Sequence, residues 1–447
     1  MSTPAPGQAS MRRVVLASMI GTTIEWYDYF LYGTAAATVF NKLFFPEISA
    51  TAGTLASLST FAVGFVARPL GAIIFGHLGD RLGRKAALTA TLIVMALGTC
   101  VIGLMPTYAS IGVAAPILLA VLRFAQGIGL GGEWGGAALL IVEHAPVRRR
   151  GFFGSVPGMG IPGGLLLASA VFALVNALPS EQFMSWGWRV PFLSSVVLLV
   201  IGVFIRLRVA ESPVFQRARE TRTAEQARVS PLRALMRTEK RFVAIAAGGR
   251  FAGDVSFYIS STFLIAYVSG PLMLGRALGL RAQLIGAAVE LVMIPLFGML
   301  TDRVGRRPVY LAGYALAAVV ALTFFPLVGT GSAVAVITVA VLGIGITNAA
   351  NTAPQCSFYA ELFGTGSRYT GASLGYQLSS PLAGGVAPII ATGLLAWANG
   401  ATWPVVLYML VICAISATAV LLAPETRGRD ITADPSAAPT ETPARTR

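Results

Sequence analysis

Charge is scarce in this chain: 12% of its 447 residues are Asp, Glu, Lys or Arg, against 55% that are hydrophobic. So little polar surface cannot coat a water-soluble globule of this length, which excludes the soluble enzyme and binding-module classes. Lysine is nearly missing. Lys42, Lys85 and Lys240 are the only three, none follows a phosphate-binding glycine loop, and none precedes Ser or Thr, so nothing points to ATP-driven chemistry. The two histidines, His77 and His144, fall at the ends of apolar runs and are expected at an interface rather than in a catalytic centre. Cys100, Cys356 and Cys413 lie within apolar segments without a C-x-x-C or any metal-ligand spacing, so no disulfide framework, metal site or cofactor is expected. One enzyme-like pattern occurs. Gly371 to Gly375 reads GASLG, but a nucleophile elbow needs strand, turn, helix and a downstream histidine, and here an apolar helical run surrounds it and no histidine follows.

What the chain has instead is apolar runs of about 20 residues, the length an α-helix needs to cross roughly 30 Å of hydrocarbon. Twelve are expected, near 14–40, 52–76, 86–105, 109–142, 151–178 and 188–209, then 241–270, 279–300, 308–328, 332–356, 369–396 and 402–423. The fold class is therefore an all-α membrane protein of twelve transmembrane helices. The 49 glycines and 25 prolines fit it, since bilayer helices use small residues for close packing and tolerate proline kinks. Arg12 and Arg13 before the first run resemble the start of a signal peptide, but Glu25 and Asp28 interrupt that run and no cleavage site follows, so it reads as an uncleaved first helix. The expected organisation is a six-helix half over 1–209, a linker over 210–240 that includes an interfacial helix, a second six-helix half over 241–423, and a disordered tail over 424–447 rich in Ala, Pro and Thr.

A formal charge of +14 could signal a nucleic-acid partner, but the basic residues sit in short clusters between apolar runs. With loops assigned to alternate sides, 26 of the 33 Lys and Arg fall on the side of both termini, four on the other, and Arg68, Arg123 and Arg250 within helices. Short basic loops stay cytoplasmic, so both termini are expected in the cytoplasm of a cell bounded by this membrane. The expected partners are the lipid bilayer, a small-molecule substrate and protons, with no nucleic acid and no partner protein.

An internal repeat supports the two-half division independently of hydropathy. Gly76 to Lys85 reads GHLGDRLGRK and Gly298 to Arg307 reads GMLTDRVGRR, 222 residues later. Glu143 precedes Arg150 by seven residues and Glu361 precedes Arg368 by seven, at an offset of 218. Two parallel halves related by an axis along the membrane normal account for both offsets.

A charge at the bilayer centre costs several kcal/mol, so the ionisable groups left there must pair, line a wet cavity or lose their charge. Eight are expected: Glu25, Asp28, Arg68, Arg123, Glu133, Arg250, Asp254 and Glu290. Glu25, Asp28 and Tyr32 share one helical face, and Gln126 and Glu133 share another with Arg123 nearby. Asp28, Glu25 and Glu133 are the candidates for proton coupling; the competing reading has these acids locked in ion pairs with Arg68 or Arg123. Trp26, Tyr29 and Tyr32 offer aromatic faces to a cationic solute, whereas Arg123 or Arg250 could hold a carboxylate. Asn348, Asn351 and Gln355 form one polar stripe, and Tyr376 and Gln377 another; each could bind substrate or bridge helices. Arg250 and Asp254, four residues apart, could pair within one helix.

The repeated loops resemble those of the major facilitator superfamily, whose members carry G-x-x-x-D-R-x-G-R-[RK] between helices two and three and again between eight and nine. RFAQG from Arg123 to Gly127 is similar to the superfamily's R-x-x-x-G element. EWYDYFLYG at 25–33, GGEWGG at 131–136, WGWRVPF at 186–192 and ESPVF at 211–215 resemble the metabolite:proton symporter family, and FGHLGDRLGRK, EWGGAALL and SLGYQ are nearest in wording to its shikimate carriers. The resemblance implies a secondary active carrier that imports a shikimate-like or other organic acid, or an osmolyte such as proline or betaine, by alternating access. The chain departs from the resemblance in two places: the osmosensing proline and betaine carriers often end in a long coiled coil that this Pro-rich tail cannot form, and GMGIPGG lacks the Gly-Pro pair typical of superfamily antiporters, which favours symport over exchange. The resemblance also implies a conformational latch in each half, built from Gly76, Asp80, Arg81, Gly83, Arg84 and Glu143 and from Asp302, Arg303, Arg306 and Glu361. A sodium-coupled or facilitative carrier and a non-transporting solute sensor remain open.

Overall fold

The computed structural model describes residues 6–47, 50–208, 216, 220 and 230–431. Twelve long helices run through it: α1 (Pro6–Ala35), α2 (Ala50–Leu82), α3 (Arg84–Leu104), α4 (Ala114–His144), α5 (Val147–Asn176), α6 (Arg189–Leu207), α7 (Lys240–Ser269), α8 (Arg276–Val304), α9 (Arg306–Val328), α10 (Ala333–Leu362), α11 (Arg368–Trp397) and α12 (Trp403–Leu421). Ten of these, α3 to α12, are long and apolar enough to cross a membrane. No strand occurs among the described residues.

Packing rests on small residues. A Cβ placed on Gly131 of α4 would come within 2.1 Å of the Arg68 carbonyl oxygen on α2, so the two backbones meet where only hydrogen fits between them. The same logic seats α5 on α1, where a Cβ on Gly164 would strike Trp26 and the backbone of Tyr27. Helices α7, α10 and α11 each loosen into a π turn, at Ile259–Phe263, Val341–Asn348 and Ser380–Gly384. Two of these turns reach the space between the halves, Asn348 of the second lining a cavity there and the third packing on α2, and π-bulges are frequent at functional sites.

Gly83 and Gly305 separate α2 from α3 and α8 from α9. Their φ angles of 116° and 106° are ones an L side chain rarely adopts, so the last glycine of each repeated motif makes the sharp turn between helices. A short helix, Pro231–Thr238, precedes α7 and packs on α11. Glu239 behind it accepts hydrogen bonds from Gly364 N at 3.0 Å and Ser367 Oγ at 2.7 Å. Most of the expected linker, with the ESPVF motif, lies outside the described residues, as does 432–447. The segment 424–431, expected to be disordered, instead packs against the bundle: the Glu425 carboxylate caps the start of α9, accepting Arg306 N at 2.9 Å and Arg307 N at 3.0 Å. Free N–H groups at a helix start explain why a Pro-Glu-Thr stretch orders there despite its composition.

Candidate functional site

At the end of the bundle that carries the termini, each repeated motif reaches across to the opposite half. Asp80, at the end of α2, accepts hydrogen bonds from Tyr369 N (3.1 Å), Thr370 N (3.0 Å) and Thr370 Oγ1 (2.8 Å), all in the first turn of α11. Asp302, at the end of α8, accepts Gly151 N (2.7 Å) and Phe152 N (2.8 Å) in the first α-helical turn of α5, which begins at Arg150 after a 3-10 turn. Each aspartate therefore satisfies orphan N–H groups of the other half and places its negative charge at the positive end of a helix dipole. The first glycine of each motif is explained as well. A Cβ on Gly76 would lie 2.8 Å from Thr370 Cα, and one on Gly298 would lie 2.3 Å from Ser155 Oγ.

Arginine connects each aspartate to the glutamate at the end of the next long helix pair. Arg84 contacts Asp80 at 3.3 Å and Glu143 at 3.4 Å; Arg306 contacts Asp302 at 3.2 Å and Glu361 at 3.0 Å. The expected latch groups Asp80 and Glu143, and Asp302 and Glu361, are thus assembled through a cation, because like-charged carboxylates need one between them. Arg81 and Arg303 are not part of it. Both are exposed, since the residue after the aspartate on a helix points about 100° away from it.

The pseudo-symmetry breaks at the third contact. Glu143 also takes Arg368 of the opposite half at 3.2 Å, whereas the matching Arg150 donates to the Arg429 carbonyl at 2.8 Å and Glu361 receives Thr426 Oγ1 at 2.8 Å. The segment after α12 gives Glu361 a side-chain partner at the second site, whereas at the first it contacts Arg368 through the Ile431 carbonyl. Its Glu425 carboxyl is disfavoured as an anion by burial, but the N–H groups of Arg306, Arg427, Arg307 and Thr426 outweigh that and hold it below the ordinary carboxylate value.

Midway along the bundle, both halves line a small cavity with Trp26, Arg250, Asp254, Tyr258, Asn348, Gln355 and Tyr376. Its volume of about 20 Å³ is room for roughly one water molecule. Arg250 Nε donates to Asp254 Oδ1 at 3.0 Å, Arg250 Nη1 donates to the Tyr376 carbonyl at 2.8 Å, and the guanidinium lies 3.2 Å from the Tyr376 ring centroid. Tyr376 stacks on Trp134 of the opposite half at 3.8 Å between centroids. Tyr29 and Tyr258 also join the halves, hydroxyl to hydroxyl at 3.0 Å. Trp134 lies in the GGEWGG motif, whereas Tyr258 carries no sequence signal that separates it from ordinary core aromatics.

The expected polar face of α1 turns inward to its own half rather than to this cavity. Asp28 Oδ1 accepts Ser195 Oγ of α6 at 2.7 Å, and Thr99 of α3, whose hydroxyl donates to the Met95 carbonyl at 3.1 Å, lies beside Asp28. Thr99 receives Gln126 Nε2 at 2.7 Å, and Gln126 Oε1 receives Arg123 Nη1 at 3.4 Å, so a hydrogen-bonded chain runs from Arg123 to Thr99, beside Asp28. Tyr32 bonds Thr60 of α2 at 2.6 Å, with Arg123 4.3 Å from its ring centroid. Arg68 and Arg123 flank the Tyr29 ring at 5.0 and 5.5 Å from its centroid. Glu25 Oε2 and Asp28 Oδ2 are buried without a hydrogen-bond partner.

Three other expected site residues are committed elsewhere. Glu133 is ion-paired with Arg206 of α6 and accepts Thr91 Oγ1 at 2.5 Å, so neither Arg68 nor Arg123 neutralises it. Arg206 reads in sequence as one of the basic residues of the following loop, yet it is buried because its long side chain reaches back along α6 to Glu133. Asn351 bonds the Thr347 carbonyl at 2.9 Å and packs between α7 and α9, and Thr352 takes its expected place at the cavity. Gln377 donates to the Leu130 carbonyl of the opposite half at 3.1 Å, which makes it a contact between halves.

A family model described as sugar (and other) transporter matches residues 14–289. The chain is 42% identical over 431 residues to the inner membrane metabolite transport protein YhjE of Escherichia coli, covering 94% of this chain and 96% of that protein. It is 40% identical to the shikimate transporter of E. coli (92% and 94% covered) and 31% identical to the proline/betaine transporter of the same organism (94% and 85%). Among solved structures, the proton:xylose symporter XylE superposes with a TM-score of 0.72 at 16% identity, over 95% of this chain and 98% of that one. Twelve helices in two halves with a shared midplane cavity, and these relatives, place the chain in the sugar (and other) transporter family of the major facilitator superfamily, as a multi-pass membrane transporter and not an enzyme.

Proposed function

We propose that the chain is a proton symporter that imports a small organic acid across a cell membrane, with both termini in the cytoplasm. The observation that carries this reading is the buried Asp28 carboxyl, with one oxygen unpartnered, beside the hydrogen-bonded chain that runs from Arg123 through Gln126 to Thr99. An anionic solute held by Arg68 or Arg123 draws the guanidinium away from Gln126, and the displacement reaches the carboxyl of Asp28. Proton and anion then bind together as a neutral load, which lowers the cost of moving both through a low-dielectric site. Glu25 is the second acid of this site, and Glu133 serves as the fixed partner of Arg206. The cavity is too small for a solute of shikimate's size, so loading requires the halves to separate. The motif aspartates act as latches for the state closed at the termini, and release of both opens the other path.

The test is uptake of labelled shikimate by proteoliposomes, preceded by a thermal-shift screen of shikimate, α-ketoglutarate, citrate, proline and betaine, since selective binding raises stability by mass action. Acid outside should stimulate uptake of the solute that binds, a protonophore should abolish the stimulation, and Asp28→Asn should remove it. Sodium dependence would replace protons with sodium, indifference to both would identify a facilitative carrier, and binding without accumulation would identify a sensor. Selective binding of betaine or proline would move the assignment from acids to osmolytes, with Trp26, Tyr29 and Tyr258 as the aromatic box.

A further inference from the structure

One acid in the membrane interior of the C-terminal half has no part in the latches or in any ion pair among the described residues. Glu290 lies in the middle of α8 and is 1% exposed. Its Oε1 accepts a hydrogen bond from Asn348 Nδ2 at 2.7 Å, and its Oε2 is buried with no partner. Helix α8 packs against α5, α9, α10 and the last turns of α7. The charged residues of those segments, Arg148, Arg149, Arg150, Arg306, Arg307 and Glu361, all sit at the termini-bearing end; their other titratable groups are Tyr267, Tyr310, Tyr314, Cys356 and Tyr359, of which Tyr314 and Tyr359 donate to α7 carbonyls. Along α8 itself the nearest charges, Arg281 and Asp302, are about 13 and 18 Å away at 1.5 Å per residue. A carboxylate so placed has no cation to offset its desolvation, and a structural hydrogen bond to Asn348 needs only an amide there.

Asn348 belongs to the cavity as well, facing it beside Arg250, Asp254 and Gln355. Its amide has one hydrogen committed to Glu290, which leaves a second hydrogen and a carbonyl oxygen for whatever occupies the cavity. We infer that Glu290 is a further proton-binding carboxyl, belonging to the C-terminal half, whose charge is read by the cavity through Asn348. It rests on the proton-coupled reading above only for its purpose, because its protonation is measurable without transport. When Glu290 is protonated, Asn348 is free to turn toward a solute. When Glu290 is ionised, it holds the amide back and the cavity loses that donor. The half that lacks Asp28 and the Arg123 to Thr99 chain thereby acquires its own link between proton and solute.

Infrared spectroscopy of the full chain in lipid vesicles, stepped through pH, tests this through the carboxylic acid C=O stretch that a carboxylate lacks. The wild type should show a protonated-carboxyl band at neutral pH that fades on alkalinisation and is missing from Glu290→Gln, a variant that keeps an acceptor for Asn348. Spectra of Glu290→Gln and wild type that coincide at every pH would overturn the inference. Asn348→Ala removes the donor that favours the charged form, so the same band should persist to higher pH by about one to two units. An unmoved titration in Asn348→Ala would overturn the link to the cavity. Asp28→Asn is run alongside: loss of a different titrating band, or of none, reports on the first acid separately from Glu290.

Discussion

Replacing Asp80 by asparagine should release the closed arrangement at the termini-bearing end. Three donors of α11 converge on this carboxylate. Asparagine retains one acceptor oxygen, but its NH2 group would face the N–H groups of the α11 first turn, donor against donor. Hydrogen bonds to a charged acceptor contribute about 1.5–3 kcal/mol each and the helix terminus about 0.3–1 kcal/mol more. Part of that returns in the open state when water solvates the freed carboxylate of the wild type, so the net shift against closure is about 3 kcal/mol, or roughly 100-fold in the equilibrium. Ser155 is a suitable reporter: it is 1% exposed on α5 and packed against Gly298 of α8 on the far side of the interface. In a chain whose three cysteines have been replaced, Ser155→Cys should react with a maleimide at a rate set by the open population. Asp80→Asn should raise that rate by about two orders of magnitude, or to the open-state limit. Arg81→Gln, at an exposed position, should leave it unchanged. Equal rates with and without Asp80→Asn in a folded chain would refute the account of Asp80 as a latch.

The glycines give an orthogonal perturbation: Gly76→Val places side-chain carbon against the Thr370 backbone and should raise the same alkylation rate, while Gly366→Ala, which meets nothing, should not. For the Glu133 and Arg206 pair, Arg206→Leu strands a buried carboxylate and should cost about 3–5 kcal/mol in thermal unfolding, much of it recovered when Glu133→Leu is added; independent, additive losses would mean that the pair is not coupled. Uptake by Glu133→Gln should still respond to an acid-outside gradient, whereas Asp28→Asn should not, and the reverse pattern would return the proton to Glu133. The Glu425 anchor should fail in acid. Its folded-state pKa is lowered from 4.5, so its contribution is present above that value and is lost as pH falls toward the lowered one. Hydrogen exchange over 424–431 should accelerate in that window, and Glu425→Gln should be fast at all pH; loosening with rising pH would contradict the sign.

The membrane class, the helix count and the two-fold plan follow from the sequence itself, because a bilayer imposes a run length and a repeat imposes an offset, and both are one-dimensional quantities. The importance of Asp80 and Asp302 was legible for the same reason, as was the i, i+4 pairing of Arg250 with Asp254, which lies within one helix. Partnership across helices was not. Nothing in the order of residues says that Glu143 meets Arg368 of the other half, that Arg206 reaches back to Glu133, or that Asp28 turns from the cavity toward Ser195 and Thr99. Those contacts depend on how each helix is rotated about its axis, which is set by where glycines such as Gly131 and Gly164 let backbones approach. The ordered stretch at 424–431 has the same origin: its composition is that of a disordered tail, and only the N–H groups exposed at the start of α9 give Glu425 something to bind.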